Sequence, residues 1–242
     1  MDAPFRDIPG DRASGLLMLA DHASNAVPPD VDLGIDPAWL ELHIALDIGV
    51  AALAERVCAR LGCHGVLGQV SRLVVDLHRE RDHEAVIPHA SDGRRIGLNH
   101  DIDPPAREAR LARFWDPYHA HIDQVIEALR PTMLFTLHSF TPALATAPDA
   151  HRPWQVGLLY NRDERAPRIA LPMLEALGLS VGDNEPYSGK LLNATMNRHA
   201  EARGLPYLAI EVRNDLIGDE AGARKWAGIL ARVIAETRDA LA

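Results

Sequence analysis

Short apolar runs at residues 15–20, 66–77, 132–137, 155–160 and 207–212 alternate with longer segments of helical character, and this alternation constrains the fold most. Runs this short and this uniformly apolar read as strands buried on both faces. The segments between them, at 37–61, 105–129, 164–177, 189–203 and 219–241, read as helices that cover those faces. The expected fold class is α/β, a mixed and mostly parallel sheet with helices on both faces. Asp36 before Pro37 suits a helix start, and Gly62 suits its end. The helix over 105–129 is expected to bend near Pro117. Residues 79–104 and 139–153 read as loops. No repeat or linker divides the sequence, so 1–242 is read as one domain.

In sheets of this kind ligands bind beyond the carboxyl ends of the strands. Here three strand ends carry reactive groups. The first run ends in Asp21-His22, the run at 132–137 in His138-Ser139, and the run at 207–212 contains Glu211 and leads to Arg213. Polar groups against a core are costly unless paired or used. A single histidine at such a place is commonly a hydrogen-bonded imidazole, but three coincident strand ends point to a site.

Asp47 falls on the apolar stripe Leu40, Ile44, Ala51, Ala54, Cys58 of the expected helix. A carboxylate there needs a cation, a metal or several donors. A salt bridge to Arg72 or Arg79 would satisfy it as well as a metal would. In Ser71–Arg79, read as extended, Arg72, Val74, Asp76 and His78 would share one face. An Arg and an Asp so placed suit a held guanidinium that recognises a carboxylate, or a plain edge ion pair. The turn Val181–Ser188 offers Asn184 and Tyr187 as substrate contacts, with Ser188 as a cap for the next helix.

The formal net charge of −9 and the lack of a basic stripe argue against a nucleic-acid partner. No apolar stretch is long enough to span a membrane, and the polar N-terminus lacks a signal-peptide pattern. Cys58 and Cys63 read as free thiols, which fits a cytoplasmic setting.

DHASNAVP (21–28), SRLVVDLHR (71–79), HSFTP (138–142), RPWQVGLLYNRD (152–163), NEPYS (184–188) and IEVRNDLI (210–217) together resemble the N-formylglutamate amidohydrolase family. The resemblance implies a phosphorylase/hydrolase-like fold related to zinc carboxypeptidases. It implies zinc-dependent hydrolysis of an N-acyl amino acid, N-formyl-L-glutamate giving formate and glutamate. One Zn²⁺ per chain is expected, with His22 and His138 as ligands and Glu211 as general base. Where the wider superfamily has His-x-x-Glu, this chain has His22-Ala23-Ser24-Asn25. An amide is a poor zinc ligand, so Asp47 is preferred as the third, with Asn25 the alternative or a substrate contact.

Arg72, Arg79 and Arg213 are expected to bind substrate carboxylates, with Arg72 also stabilising the oxyanion; Arg152 is also available. Ser139, Asn184, Tyr187 and Asn25 complete the expected substrate contacts, and His119 reads as a packing or supporting group. Three alternatives stay open: a zinc amidase on another N-acyl amino acid or short peptide, a metal-free serine enzyme using Ser24 or Ser139, and a non-catalytic protein that binds an acidic metabolite. No oligomeric state follows from the sequence.

Overall fold

The computed structural model describes residues 3–242. In chain order the strands are β1 (Phe5–Ile8), β2 (Leu16–Ala20), β3 (His64–Gly68), β4 (Ala90–Ser91), β5 (Arg94–Arg95), β6 (Met133–Phe140), β7 (Val156–Leu159), β8 (Val181–Asp183) and β9 (Tyr207–Arg213). Seven of them form one sheet in the order β1-β3-β2-β6-β9-β7-β8, and β4 and β5 make a separate small hairpin. Strands β3, β2, β6 and β9 run parallel, β7 is antiparallel to β9, and β1 is antiparallel to β3. The mixed, mostly parallel sheet expected from the apolar runs is present.

Helices α1 (Val50–Leu61), α5 (Arg165–Ala176) and α7 (Glu220–Leu241) pack on one face, against Leu16, Met18, Phe135, Leu137 and Ile210. The other face holds Leu17, Leu19, Leu134 and Ala209. Residues of α4 (Asp116–Leu129) and α6 (Ala194–His199) cover it. Because side chains alternate along a strand, His138 shares this second face with Leu134, and Glu211 shares it with Ala209. The two residues are direct neighbours across β6 and β9. Connections from β2 lead to β3 on one side while β6 lies on the other. The ends of β2 and β6 therefore flank a switch point, where such sheets open a crevice.

Several local expectations need correction. Residues 37–61 are not one helix. A single 3-10 turn at Pro37–Glu41, capped by Asp36, is followed by irregular chain, and α1 begins only at Val50. Gly49 forces the restart: its φ is 84°, and a Cβ there would lie 2.3 Å from the Ile217 carbonyl oxygen. Asp47 is buried, but on this irregular segment and not on a helix face.

Residues 71–79 are not extended. Ser71 accepts backbone bonds from Val74 and Val75 at its carbonyl and from Leu73 at its hydroxyl, so the chain turns. Leu73, Val74, Val75 and Leu77 are all fully buried, which removes the alternation a half-buried strand would show.

The residues read as a loop at 79–104 include the β4–β5 hairpin and α2 (Gly97–His100). The segment expected as helix over 189–203 is helical only at α6, with a 3-10 turn at Glu201–Arg203. Gly189 lies against the Tyr160 backbone, and Leu191 and Leu192 donate to the Ser188 carbonyl, so Ser188 starts a turn rather than the helix. Strand β1 was hidden in a stretch read as a polar N-terminus. Before α4, α3 (Pro104–Arg110) passes into a π-helical turn at Leu111–Trp115. Pro117 lacks the N–H that a regular turn would need there.

Candidate active site

His22, Asp47, Arg72, Arg79, His138, Ser139, Tyr187 and Glu211 all line one cavity of about 270 Å³ at the carboxyl ends of the central strands. His22 follows β2, His138 stands near the end of β6, and Glu211 lies beside it on β9. Asp47 reaches them because its N–H donates to the His22 carbonyl oxygen at 2.9 Å. The irregular segment is thus tied directly to the end of β2.

Each histidine is aimed by a carboxylate. His22 Nε2 lies 2.7 Å from Asp76 Oδ1, which leaves Nδ1 facing Asp47 Oδ2 at 3.5 Å. His138 Nδ1 lies 2.9 Å from the same Asp47 oxygen, while its Nε2 is 3.4 Å from Asp21 Oδ2. His78, which also lines the cavity, brings Nδ1 to 2.9 Å from Asp21 Oδ2. Asp21 also accepts from the Tyr118 hydroxyl at 2.7 Å and from the Thr195 hydroxyl at 3.0 Å. Arg72 bridges two of the acids, donating from Nη1 to Asp47 at 3.3 Å and from Nη2 to Asp76 at 3.1 Å.

Burial disfavours charge on all these groups, and their mutual contacts decide the outcome. On His138 burial acts against the proton, but bonds to Asp21 and Asp47 hold it well above the ordinary imidazole range. On His22 burial and Arg72 act against the proton, yet Asp76 and Asp47 carry it above that range. Burial would raise Asp47, but His22 and His138 hold it far below the usual carboxylate range. Glu211 goes the other way. Its burial, with Asp47 adding to it against the pull of His138, pushes the carboxyl up to about 7.

The donor set fits a zinc-type cation. Among the described residues, His22 Nδ1, His138 Nε2 and Glu211 Oε2 are buried with no hydrogen-bond partner. His22, Asp47 and His138 each offer a ligand atom, all within 4.8 Å of one another. Two imidazole nitrogens and one carboxylate, with room beside them, are a catalytic zinc donor set. Asp21, His78 and His138 form a second such group. Asp21 is already bonded by Tyr118 and Thr195, so it is better suited to orienting the two imidazoles than to holding an ion.

Asn25, Asn184 and Arg213 do not line the cavity. Asn25 donates to the Leu40 carbonyl and to Glu41. Asn184, at φ 56°, accepts from the N–H groups of Tyr160 and Gly189. Arg213 pairs with Asp215. Arg152 lies over the Tyr187 ring and donates to the Thr141 carbonyl. His119 is buried on α4, between His199 and the Leu77 carbonyl. Asp76 holds the Arg72 guanidinium, as the sequence suggests, but its contact with His22, and the places of Asp21, His78, His43 and Asp92 at the site, are not among the sequence expectations; His78, His43 and Asp92 also line the cavity. Asp21 and Asp76 were open to detection, because each is an acid within two residues of a histidine inside an otherwise apolar run. His43 and Asp92 carry no local signal.

Comparison with known proteins follows the same line. The family model for N-formylglutamate amidohydrolase matches residues 14–218. The crystal structure of gene product Atu2144 from Agrobacterium tumefaciens superposes with a TM-score of 0.91 at 28% identity, covering 98% of this chain and 96% of that one. N-formylglutamate amidohydrolase from Ralstonia eutropha JMP134 superposes with a TM-score of 0.78 at 20% identity, covering 99% and 98%. No curated protein matches the chain.

Proposed function

Since the chain belongs to the N-formylglutamate amidohydrolase family, we propose that it is a zinc-dependent hydrolase that cleaves the amide bond of an N-acyl amino acid. N-formyl-L-glutamate, which would give formate and glutamate, is the reference substrate. The observation that carries this reading is the convergence of His22, Asp47 and His138 beside a buried, proton-holding Glu211.

His22, Asp47 and His138 would hold one zinc ion per chain. When bound, zinc supplies Lewis acidity, which makes both a carbonyl and a water more reactive. Asp76 accepts from Nε2 of His22, and Asp21 Oδ2 lies 3.4 Å from Nε2 of His138, so each ring is kept oriented by a carboxylate. Glu211 in its carboxylate form takes a proton from the attacking water as the carbon–oxygen bond forms. It returns that proton to the amine nitrogen as the carbon–nitrogen bond breaks. Burial holds this carboxyl up to about 7 in the metal-free protein, and a base raised toward the working pH suits both halves of such an exchange. Arg72, fixed by two acids at the cavity wall, supports the negative charge on the carbonyl oxygen. Arg79 holds the substrate carboxylate, while Ser139 and Tyr187 border the substrate.

The test is release of free amino acid from N-acyl amino acids by zinc-loaded protein, alongside Glu211→Gln. Turnover by the wild type and a loss of about a hundredfold or more in the variant are expected. Equal turnover by both would remove Glu211 as the base. No turnover of any acyl amino acid would sink the hydrolase reading.

A further inference from the structure

We infer that this cavity takes an N-acyl amino acid bearing a single carboxylate and an apolar side chain, in preference to one with a second carboxylate. The inference rests on the hydrolase reading above and deepens it.

The supply of cations sets the limit. Two arginines line the cavity. Both Nη atoms of Arg72 are engaged, on Asp47 and Asp76. Arg79 is different. Its Nε lies 3.7 Å from Asp76 Oδ2, outside hydrogen-bond distance, and its guanidinium makes no hydrogen bond among the described residues. It can present a fork to one carboxylate. The other two arginines proposed for this role do not line the cavity. Arg213 is paired with Asp215 at 2.8 Å, and the Arg152 guanidinium lies over the Tyr187 ring, 4.9 Å from its centre.

The remaining wall mixes apolar side chains with polar ones and one acid, and among the described residues it holds no further arginine or lysine. Phe140, Leu144, Leu159, Tyr187 and Leu192 line it beside Asp92, His43 and the hydroxyls of Ser91, Thr141 and Thr146. The Thr141 hydroxyl donates to the Ala143 carbonyl and the Thr146 hydroxyl to Asp92, while His43 Nε2 lies 3.1 Å from Asp92 Oδ2. The Asp92 side chain is 5% exposed and already accepts from the N–H groups of Ala145 and Thr146 and from the Thr146 hydroxyl. A substrate side chain ending in a carboxylate would lose its water here, find no free guanidinium and face Asp92. An aliphatic or aromatic side chain would instead exchange water for leucines. The cost of an unpaired buried charge and the gain from burying apolar surface act in the same direction.

The test compares N-formyl-L-leucine, N-formyl-L-glutamate and N-formyl-L-leucine amide as substrates for zinc-loaded protein. Calorimetric titration with free L-leucine and L-glutamate gives a readout that does not depend on turnover. A kcat/KM at least about tenfold higher for the leucine compound than for the glutamate compound is expected. L-leucine should bind more tightly than L-glutamate. Arg79→Gln should lower kcat/KM for N-formyl-L-leucine by about tenfold or more while changing its amide by less than about threefold. Equal or faster turnover of N-formyl-L-glutamate would overturn the inference, as would equal effects of Arg79→Gln on acid and amide. If no acyl compound is hydrolysed, the hydrolase reading fails alone and the titration still decides the subsite: tighter L-leucine supports it, while equal or absent L-leucine binding overturns it.

Discussion

Asp76 Oδ1 lies 2.7 Å from His22 Nε2, and this contact determines which nitrogen of His22 faces the cavity. In the neutral ring, with Nε2–H given to Asp76, the lone pair sits on Nδ1, which is buried without a hydrogen-bond partner among the described residues. The same carboxylate holds Arg72 through its other oxygen. Asp76→Asn would weaken both restraints. Zinc affinity, read by competition with a chelating dye, should fall by about ten- to a hundredfold. An unchanged affinity would show that His22 is oriented by something else.

The raised carboxyl of Glu211 has a consequence for stability. In the unfolded chain this group ionises near 4.5, whereas in the folded metal-free protein it keeps its proton up to about 7. Between those values the folded state holds the extra proton, so stability falls as pH rises, and above about 7 the whole cost is present. Metal-free Glu211→Gln should therefore be more stable than the wild type at pH 8, by up to ~3 kcal/mol, and about equal to it at pH 4. Thermal unfolding at the two pH values measures this. A variant less stable at pH 8 would contradict the burial argument.

His119 has a pH dependence of the opposite sign. Burial, with His199 beside it, pushes its pKa down to about 3. The unfolded state then binds a proton that the folded state refuses, from about pH 6.5 down to about 3, and stability is lost as pH falls through that window. His119→Gln should flatten this loss by one proton, about 1.4 kcal/mol per pH unit. Denaturant unfolding at several pH values between 4 and 7 reads the slope, and an unchanged slope would contradict it.

Asp92 ties the loop at 139–153 to the β4–β5 hairpin. Its carboxylate accepts from Ala145 and Thr146 and lies 3.1 Å from His43 Nε2, while its own backbone sits at φ 42°. Asp92→Ala should speed amide exchange at Ala145 and Thr146 by about tenfold or more and leave the sheet amides unchanged. Asp92→Asn tolerates the same backbone and keeps one acceptor oxygen, so it should fall between the two. Equal exchange in all three proteins would show that the loop is held elsewhere.

Much of this arrangement could be read from residues alone, for a physical reason. Apolar runs buried on both faces carry a strong compositional signal, and His22, His138 and Glu211 stand at or near the ends of such runs. Asp47 was noticed for a partly mistaken reason. Its apolar neighbours have helical spacing, but Gly49 needs a positive φ and breaks the helix before it can form. Ser71–Arg79 misled because a run of buried Val and Leu does not distinguish a strand from a tightly packed turn. The turn depends on Ser71 bonding to Ala45, far away in sequence. Asn184 and Arg213 looked like substrate contacts, yet one holds a turn and the other pairs with its neighbour. His78, His43 and Asp92 owe their place on the cavity to tertiary packing, which no local pattern records.

The most direct test of the central claim is the zinc content of purified protein after incubation with zinc, measured by elemental analysis beside His22→Ala and His138→Ala. The wild type should carry about one zinc per chain and both variants should lose it. A wild type that takes up no zinc, or variants that keep it in full, would contradict the assignment of His22, Asp47 and His138 as a metal site.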